Sequence, residues 1–462
     1  MKTKFTNLLF ILSILLLFYG CKTDTGIAPY LNVPEAKDVV MYEVNPRVFA
    51  QQDALKVVTE RLDEIKALGV NVIWIMPIYE QGVLNAKSED GSGSPYCIKD
   101  YKKIDPEYGT LEDFQILVTQ AHEKGMAVIL DWVANHTSWD NQWVIDHPGW
   151  YTQNEAGEII HPDETDWTDV ADLNYANHEM RAAMIDAMKY WFTAANIDGF
   201  RCDALDFIPE TDFLQTMTSE LREFNKGRRI LMLAEGNRKN YPALGFDMDY
   251  GWSFYGRMKE LYKNSKNFIL YKDSMSIANF LQYYVEEKNA IPAGISRLYF
   301  TTNHDESAWS VTDLQLFGSQ PAAMSAFVLT ATLAGAPLIY STQEIGTEPL
   351  VSFFKYTPID WNAKPEVLSE YKQIMAAYTS TGAFTGDDLE TFSDNPDIVY
   401  FTRSNDTDKA LAAINIRDEA KTLALPASLA GKNAKNLISG ETEILPENID
   451  FQPYQYYLWK FE

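Results

Sequence analysis

The chain of 462 residues contains only three cysteines, Cys21, Cys97 and Cys202, which is too few for a disulfide framework. We expect no disulfide between them and no metal site built on sulfur. Cationic side chains are also scarce, with 39 Lys and Arg against 65 Asp and Glu and a formal net charge of −26. Such a surface repels nucleic acid and anionic membranes, so we expect no nucleic-acid partner. Beyond the N-terminal segment, no apolar run approaches the roughly 18 residues of a transmembrane helix.

The first 21 residues have the form of an export signal. Lysines near the start precede the apolar run Leu8–Tyr19, which is too short to span a bilayer. The run ends in LFYGC at residues 17–21, which resembles a bacterial lipobox. The sequence therefore predicts an exported protein, lipid-anchored through Cys21 to a bacterial membrane at the cell surface or the periplasmic face. The bulky residues before Gly20 depart from that motif, so cleavage nearby with a free Cys21 is the alternative.

Apolar, β-branched runs alternate with helix-like segments along most of the chain. This alternation is typical of a parallel sheet, and strands buried on both faces form near-continuous apolar runs. Eight such units predict closure into a barrel. The sixth run is the weakest, because it is short and carries Asp247 and Asp249. The predicted strands are Val39–Val44, Asn71–Pro77, Met126–Val133, Gly199–Asp203, Ile230–Glu235, Phe246–Tyr250, Leu298–Asn303 and Pro337–Ser341.

Two regions interrupt this alternation. A stretch rich in Trp, Asp, His, Gly and Pro follows the third strand, and long excursions of this kind are usually functional. Near the C-terminus, short strands separated by Gly, Asn and Asp turns replace the mixed pattern. The predicted fold is α/β, a (β/α)8 TIM barrel with a small domain inserted after strand 3 and a C-terminal β-sandwich. The predicted boundaries are 1–21 for a lipoprotein signal peptide, 22–136 and 176–378 for the barrel, 137–175 for the insertion and 379–462 for the β-sandwich.

Charged side chains stand at the ends of several predicted strands. Arg201 and Asp203 lie two residues apart on one strand and share a face, so the guanidinium can orient the carboxylate as a nucleophile requires. Glu235 ends the next strand, and Asp305 follows the seventh. Barrels build active sites from the ends of different strands, and paired carboxylates break glycosidic bonds. Any one of these residues can be a structural ion pair or a helix cap, but their joint placement favours a glycosidase.

Five segments resemble the conserved regions of the α-amylase family of retaining glycoside hydrolases, glycoside hydrolase family 13. Further similarity in GVNVIWIMP at 69–77 and GAPLIYSTQEIG at 335–346 extends the resemblance over most of the barrel. So many pieces in order make it specific for the family, but less specific for the substrate. The five segments are DWVANH at 131–136, VADLN at 170–174, GFRCD at 199–203, AEG at 234–236 and FTTNHD at 300–305.

The resemblance implies roles for eight side chains. Asp203 is implied as the nucleophile, Glu235 as the general acid/base and Asp305 as the transition-state stabiliser. The other five are implied to position the substrate or support the site, Tyr96 by stacking on the sugar at the cleaved unit and Arg201 by orienting the nucleophile. These five residues are Tyr96, Asp131, His136, Arg201 and His304.

The resemblance also implies a calcium site between the barrel and the insertion, with Asn135 and Asp172 as ligands. Oxygen ligands of this kind suit that ion. The chain departs from the usual amylase motif after the nucleophile, since Asp206 and Phe207 stand where a Lys-His pair is common. The missing lysine changes the part of the site that contacts sugar on the leaving side.

We expect a hydrolase that cleaves α-1,4 bonds of starch-like glucans or maltooligosaccharides with retention of configuration. The alternatives within the family are exo action, α-1,6 specificity and transglycosylation. An alternative of another class is a non-catalytic glucan-binding surface protein. The insertion also carries four tryptophans, which are either stacking platforms for glucan or the small core of the insertion itself: Trp139, Trp143, Trp150 and Trp167.

Overall fold

The structure, a computed structural model, describes residues 28–87, 93–262 and 275–462. The predicted signal peptide and its Cys21 lie outside these ranges. Within them, no helix has both the length and the apolar character needed to cross a bilayer.

Eight parallel strands form the central sheet, one near each predicted position. The seventh is shifted, because it ends at Leu298, where the predicted strand Leu298–Asn303 begins, and only a bridge at Tyr299 continues it. The order of the eight strands is β7-β6-β5-β4-β3-β2-β1-β8, with the labels defined at the end of this paragraph. The barrel closes between its two outermost strands, where Tyr299 and Pro337 form a parallel bridge and the Leu338 N–H donates to the Tyr299 carbonyl over 2.8 Å. The strands are β1 (Met41–Val44), β2 (Val72–Ile75), β3 (Ala127–Val133), β4 (Gly199–Asp203), β5 (Leu231–Ala234), β6 (Met248–Tyr250), β7 (Ser296–Leu298) and β8 (Leu338–Tyr340).

Helices pack around the barrel and cover the outer faces of its strands. The helix Leu111–Glu123 begins at Thr110, whose side chain forms a reciprocal capping box with Asp113. The α-helices are Pro46–Phe49, Ala54–Glu60, Leu62–Lys66, Leu111–Glu123, Gln142–Asp146, His178–Ala195, Thr211–Phe224, Trp252–Leu261, Ile277–Ala290, Asp313–Phe317, Gln320–Leu329 and Pro365–Thr379.

The first five barrel strands are buried on both faces, as their near-continuous apolar sequences predict. Close pairing at the start of β4 depends on Gly199, because a Cβ there would lie 1.8 Å from the carbonyl oxygen of Leu231 on β5. The sixth strand carries the buried acid Asp249, which accepts a hydrogen bond from Arg297 Nε over 3.0 Å. A buried charge on a strand is tolerated when it has such a partner.

The region predicted as an insertion contains one short helix and two short strands. The strands His136–Ser138 and Val170–Asp172 pair antiparallel and place Asp172 opposite His136. The link between barrel and insertion therefore lies beside one of the predicted sugar-binding residues.

The C-terminal strands form a six-stranded sheet and a two-stranded sheet, which confirms the predicted β-sandwich. Three of these strands are rich in apolar residues. The other five carry more polar residues and are largely exposed or alternate exposed and buried positions, so they are harder to recognise in the sequence. The eight strands are β9 (Asp388–Phe392), β10 (Ile398–Ser404), β11 (Lys409–Asn415), β12 (Lys421–Ala424), β13 (Asn433–Asn436), β14 (Thr442–Ile444), β15 (Asn448–Phe451) and β16 (Tyr456–Phe461).

Candidate active site

The centre of the candidate site is the guanidinium of Arg201, a fully buried residue of β4. Its Nη1 donates to Oδ1 of Asp203 and to Oδ1 of Asp131, each over 2.8 Å. Its Nη2 forms an ion pair with Glu235 Oε1 at 2.7 Å. One cation thus contacts carboxylates from β3, from β4 and from the end of β5. Attraction to this common cation offsets the repulsion between the acids and holds them in one cluster.

Two aromatic rings fix the guanidinium in place. Trp74 of β2 and Tyr250 of β6 have ring centroids 5.0 and 5.6 Å from Arg201 Cζ. Tyr250 Oη also accepts a hydrogen bond from Arg201 Nε over 3.0 Å, and Trp74 Nε1 donates to Asp131 Oδ2 over 3.2 Å. Neither aromatic residue is among the predicted site residues, because an aromatic side chain in a buried strand is equally consistent with a role in the hydrophobic core. Their packing pre-organises the cation.

Glu235 is held from two sides. Besides its ion pair with Arg201, its Oε2 accepts a hydrogen bond from the backbone N–H of Ala204 over 2.8 Å. Ala204 has a left-handed backbone conformation with φ of 49°. Strained backbone of this kind costs about 1–3 kcal/mol and is concentrated at functional sites. The turn directs the N–H that follows Asp203 towards Glu235, so the two candidate catalytic groups are positioned by the same bend of the chain.

Burial raises the pKa of carboxyls in this cluster. The pKa of Asp203 is well above its usual range because of desolvation, with Glu235, Asp131 and Asp305 adding to the effect and Arg201 opposing it. Desolvation likewise raises the pKa of Asp131 to about 6 and that of Asp305 to about 7. Several acids around one guanidinium do not all ionise at neutral pH. The raised pKa values therefore mark this cluster as a candidate functional site.

Tyr96 connects the two predicted histidines. Its ring stacks on that of His304 with centroids 5.7 Å apart, and its Oη lies 2.8 Å from His304 Nε2. The Tyr96 hydroxyl oxygen also lies 3.2 Å from Asp131 Oδ2. His136 Nε2 lies 3.2 Å from the Tyr96 carbonyl oxygen, and burial lowers the pKa of His136 to about 4. His136 is therefore neutral at pH 7.

A buried carboxylate that is absent from the sequence-based predictions contacts His304. Glu43 of β1 is fully buried, and its Oε1 lies 2.5 Å from His304 Nδ1. Burial raises the pKa of Glu43, while His304 and Arg201 oppose that rise. A signal is present in the sequence, since Glu43 is the one charged residue in the apolar run Met41–Val44. A strand buried on both faces accommodates such a residue only with a partner.

These side chains surround a cleft of about 1060 Å³ at the carboxyl edge of the barrel. Small-molecule pockets usually measure roughly 300–1,000 Å³, so there is room for an extended ligand. Asp131 and Arg201 are fully buried, in contact with the residues that line the cleft. The structure thus brings all eight predicted catalytic and substrate-binding residues together. The predicted residues that line the cleft itself are Tyr96, His136, Asp203, Glu235, His304 and Asp305.

Aromatic side chains form two walls of this cleft. On one side, the ring of Trp167 lies 5.0 Å from that of Phe207, which is 43% exposed. On the other side, Trp309 is 67% exposed and meets Phe353 and Phe354 edge to face at 5.8 and 5.2 Å. Exposed rings in a cleft offer flat apolar faces to a ligand.

The four tryptophans of the insertion divide between the two predicted uses. Trp167 lines the cleft. Trp143 packs edge to face on Trp150 at 5.2 Å, and Trp139 Nε1 donates to the Thr168 carbonyl over 3.0 Å. Trp139, Trp143 and Trp150 therefore contribute to the packing of the insertion, and only Trp167 of the four lines the cleft.

Asp206 stands where related enzymes commonly have a lysine, and its carboxylate bonds to neighbouring groups of the protein. Asp206 accepts hydrogen bonds from Tyr241 Oη over 2.6 Å and from the Asn237 backbone N–H over 2.7 Å. Arg238 also lies nearby, with Nε 3.5 Å from Asp206 Oδ1. The carboxylate is thus engaged within the protein, and Phe207 is the group this turn presents to a ligand.

Of the two predicted calcium ligands, Asn135 directly precedes His136 in the chain, and Asp172 lies opposite His136 on the paired strand. Asn135 is buried, and its carbonyl accepts the Leu173 N–H over 3.2 Å. Desolvation raises the pKa of Asp172 to about 6, and the nearby acids Asp163 and Glu210 add to the rise. In the ranges that the structure describes, no three His, Cys, Asp or Glu side chains are arranged to hold a metal ion.

A parallel barrel that gathers an arginine, several carboxylates and exposed aromatic rings at its carboxyl edge has the architecture of a barrel glycoside hydrolase. The family described as "Alpha amylase, catalytic domain" matches residues 44–164 and 150–388 of the chain. The chain therefore belongs to the alpha-amylase family, and the family predicted from the sequence is confirmed.

Three similar proteins illustrate the relationship. Alpha-amylase MalA of Haloarcula japonica is 27% identical over 453 residues, which cover 91% of this chain and 62% of that protein. Oligo-1,6-glucosidase of Bacillus cereus is 30% identical over 231 residues, covering 42% of this chain and 40% of that protein. An alpha-amylase structure from Lactobacillus plantarum matches with a TM-score of 0.80 and 26% identity, covering 93% of this chain and all of that one. The chain thus spans less than two thirds of the length of these two curated relatives.

Proposed function

We propose that this protein hydrolyses α-1,4-glucosidic bonds of starch-like glucans or maltooligosaccharides with retention of configuration. The observation that carries the proposal is the single buried guanidinium of Arg201 that contacts both Asp203 and Glu235 beneath a wide cleft. Two carboxyls held beside each other in this way are the equipment of a retaining glycosidase.

In the first step Asp203 attacks the anomeric carbon and forms a glycosyl ester, while Glu235 gives its proton to the departing glycosidic oxygen. In the second step Glu235 takes a proton from water, the water oxygen attacks the anomeric carbon, and Asp203 leaves as a carboxylate. Both groups return to their starting protonation. The contact between Ala204 and Glu235 keeps the acid beside the nucleophile through both steps.

The other predicted residues act on the sugar at the cleaved unit. Asp305 hydrogen-bonds sugar hydroxyls, and such bonds strengthen as the ring gains positive charge in the transition state. Tyr96 stacks on the ring. His136, neutral at pH 7, and His304 hydrogen-bond the hydroxyls from either side of Tyr96. Arg201 holds the carboxylates from below and does not reach the substrate.

The aromatic walls support a glucan substrate. Trp309 and Phe353 continue from the ring of Tyr96, which lies 5.7 Å from Phe353, and offer stacking to sugars beyond the cleaved unit. Trp167 and Phe207 do the same on the wall that follows the nucleophile. Exo action, α-1,6 specificity and transfer to a sugar acceptor are the alternatives within the family, and the name of the Bacillus cereus relative includes an α-1,6 activity.

The test begins with the soluble protein and three substrates, amylose, pullulan and maltotetraose, with products resolved over time. Mixed short products from amylose support endo α-1,4 hydrolysis, a single small product indicates exo action, and products longer than maltotetraose indicate transfer. Cleavage of pullulan alone points to α-1,6 specificity. No turnover of any substrate, with binding retained, supports the non-catalytic glucan-binding alternative.

Two variants then test the roles. Asp203→Asn is expected to lower kcat by at least about 10³-fold with the fold intact, because it removes the nucleophile. Glu235→Gln is expected to spare an aryl glycoside with a good leaving group more than a natural glucan, because only the natural substrate needs the proton. Unchanged activity of Asp203→Asn, or equal losses on both substrates for Glu235→Gln, contradicts the assignment.

Calcium bound by Asn135 and Asp172 is a second proposal. Both residues offer oxygen ligands of the kind that calcium prefers, and a cation would compensate the charge of Asp172, whose pKa is raised by burial. The ion would join insertion and barrel and takes no part in bond cleavage. Calcium is expected to raise the Tm of the wild type and to leave that of Asp172→Asn unchanged. Equal Tm with calcium and with a chelator overturns the proposal.

We also propose export and anchoring through a lipidated Cys21. The first described residues cross the amino edge of the barrel, where the Ala28 carbonyl accepts a hydrogen bond from Asn196 Nδ2 over 3.1 Å and Tyr30 stacks on His122. The wild type is expected to need detergent for extraction from membranes, whereas Cys21→Ser is expected to be released or to fail to mature. Detergent-free release of the wild type contradicts this proposal.

A further inference from the structure

Glu43 is a buried acid with no part in the bond-breaking steps described above. It is fully buried on β1 and contacts His304 Nδ1 through Oε1, while its Oε2 has no hydrogen-bond partner among the described residues. His304 in turn reaches the cleft, where its Nε2 lies 2.8 Å from Tyr96 Oη and 3.4 Å from Asp305 Oδ2. A continuous chain of polar contacts therefore runs from β1 to the proposed stabiliser Asp305.

We propose that Glu43 is a positioning residue that fixes the proton and the orientation of His304, so that Nε2 of this histidine is aimed at the sugar. An ionised carboxylate accepts but does not donate, so the nitrogen beside Glu43 carries the proton. The opposite nitrogen is then the one presented to the cleft, between Tyr96 and Asp305. The inference rests on the proposed function, because it assigns a sugar to the space that Nε2 faces.

The two histidines of the cleft show why the carboxylate matters. His136 contacts the Tyr96 carbonyl and the Asn135 side chain, and it has no acid as a hydrogen-bond partner. Only His304 is backed by a carboxylate. A ring fixed by a charged hydrogen bond keeps its tautomer, whereas a ring between neutral groups is free to exchange it. The structure thus assigns His304 the stricter task in binding the sugar.

The strand that carries Glu43 also provides a matched control. The neighbouring residue Tyr42 points to the outer face of β1, where its hydroxyl donates to Glu344 Oε1 over 2.6 Å. Glu344 is a buried acid with one bonded and one unpartnered oxygen, as Glu43 is. Glu43→Gln and Glu344→Gln therefore make the same chemical change at similar burial, one inside the barrel and one outside it.

The experiment is a double-mutant cycle of Glu43→Gln with His304→Asn, read as kcat/KM on maltotetraose. Glu43→Gln alone is expected to lower kcat/KM by about 10- to 100-fold, the range for losing a hydrogen bond to a charged group. In the His304→Asn background the same change is expected to alter kcat/KM by less than about twofold. Glu344→Gln is expected to leave kcat/KM unchanged. Equal losses from Glu43→Gln in both backgrounds, or an equal loss from Glu344→Gln, overturn the proposal.

A spectroscopic measurement separates this inference from the proposed function. The chain has six histidines, so 15N-histidine labelling gives few signals, and His304→Asn identifies the one of interest. We expect a downfield Nδ1 proton for His304 that moves upfield in Glu43→Gln and stays in Glu344→Gln. Its presence in a protein that hydrolyses no glucan refutes the function but not the contact. Its absence from the wild type refutes the contact.

Discussion

Replacing Arg201 with methionine tests whether one buried cation organises the whole site. Methionine keeps an unbranched apolar stem between Trp74 and Tyr250 but removes the charge. Three carboxylates, those of Asp131, Asp203 and the adjacent glutamate, lose the cation that they share. The variant therefore separates the electrostatic part of the site from its packing.

The expected loss in stability depends on pH. Removing one partner of a buried ion pair costs about 3–5 kcal/mol of unfolding free energy. Asp131 and Asp305 have folded pKa values of about 6 and about 7, above their ordinary value of 3.8. Protonation of these acids therefore favours the folded state at low pH, and this contribution is lost as pH rises through that window. Without Arg201 the pKa of Asp131 rises further, so the loss is expected to be smallest near pH 5 and largest near pH 8.

Activity is expected to fall more steeply than stability. Without the guanidinium, the pKa of Asp203 rises further and its carboxyl group loses its orientation, so kcat/KM on maltotetraose is expected to drop by about 10³-fold or more. The assay combines this kinetic measurement with denaturant unfolding at pH 5 and pH 8. Arg201→Lys is not expected to restore activity, because an ammonium group cannot reproduce the planar guanidinium that contacts three carboxylates and donates to a tyrosine.

Arg228→Met is the matched control for Arg201→Met. Arg228 is also largely buried, with Nη1 3.7 Å from Asp198 Oδ1 and Nη2 donating to the Ile197 carbonyl over 2.7 Å. These groups lie at the amino edge of the barrel, away from the cleft. The control is expected to lower stability and to leave kcat/KM within about twofold of the wild type. If both variants reduce kcat/KM alike, or if Arg201→Met retains activity, the central role of Arg201 is refuted.

Two further predictions follow from the cleft and from the outer face of β1. Trp309→Ala is expected to raise KM for maltohexaose about tenfold, or about 1.4 kcal/mol, and to leave KM for an aryl glucoside unchanged. Trp139→Ala is the control, and equal effects on both substrates count against a stacking platform. Glu344→Gln is expected to gain stability relative to the wild type as pH rises, by about 3 kcal/mol in all. The reason is that burial raises the pKa of Glu344 to about 7, whereas glutamine stays neutral and still accepts from Tyr42. Denaturation at low and neutral pH measures this difference, and a pH-independent result contradicts it.

The sequence predicts the barrel well because its strands are buried on both faces. Runs such as Met126–Val133 are apolar except for Asp131, and no regular polar alternation obscures them. The C-terminal sheets are harder to predict because β13 and β15 alternate exposed and buried residues over only four positions each. Such short polar strands are indistinguishable from loops until their partners are known.

The site divides in a similar way. Asp203 and Glu235 could be found because they stand at strand ends, and Asp305 because it follows the predicted seventh strand in a segment that resembles the family. Glu43 and Tyr250 could not, because the residues that they contact are far away in sequence. Glu43 reaches His304 across 261 positions, and only closure of the barrel brings β1 beside that histidine. A charged residue within a buried strand signals a partner, but the sequence does not say which one.

The carboxyl edge of the barrel, where the candidate site lies, differs from the amino edge in the balance between acidic and cationic side chains. At the amino edge, buried Asp198 has Arg228 and His122 beside it, with His122 Nε2 2.7 Å from Asp198 Oδ2. The acid there is matched by cationic or donor groups, as a stabilising network requires. At the carboxyl edge, several acids gather around the single guanidinium of Arg201. Stability alone does not explain this excess, since each added carboxyl there is desolvated and repelled by the others. The extra carboxyls can accept hydrogen bonds from sugar hydroxyls and can stabilise the positive charge that develops in the reaction. Acids with strongly raised pKa values therefore mark the site.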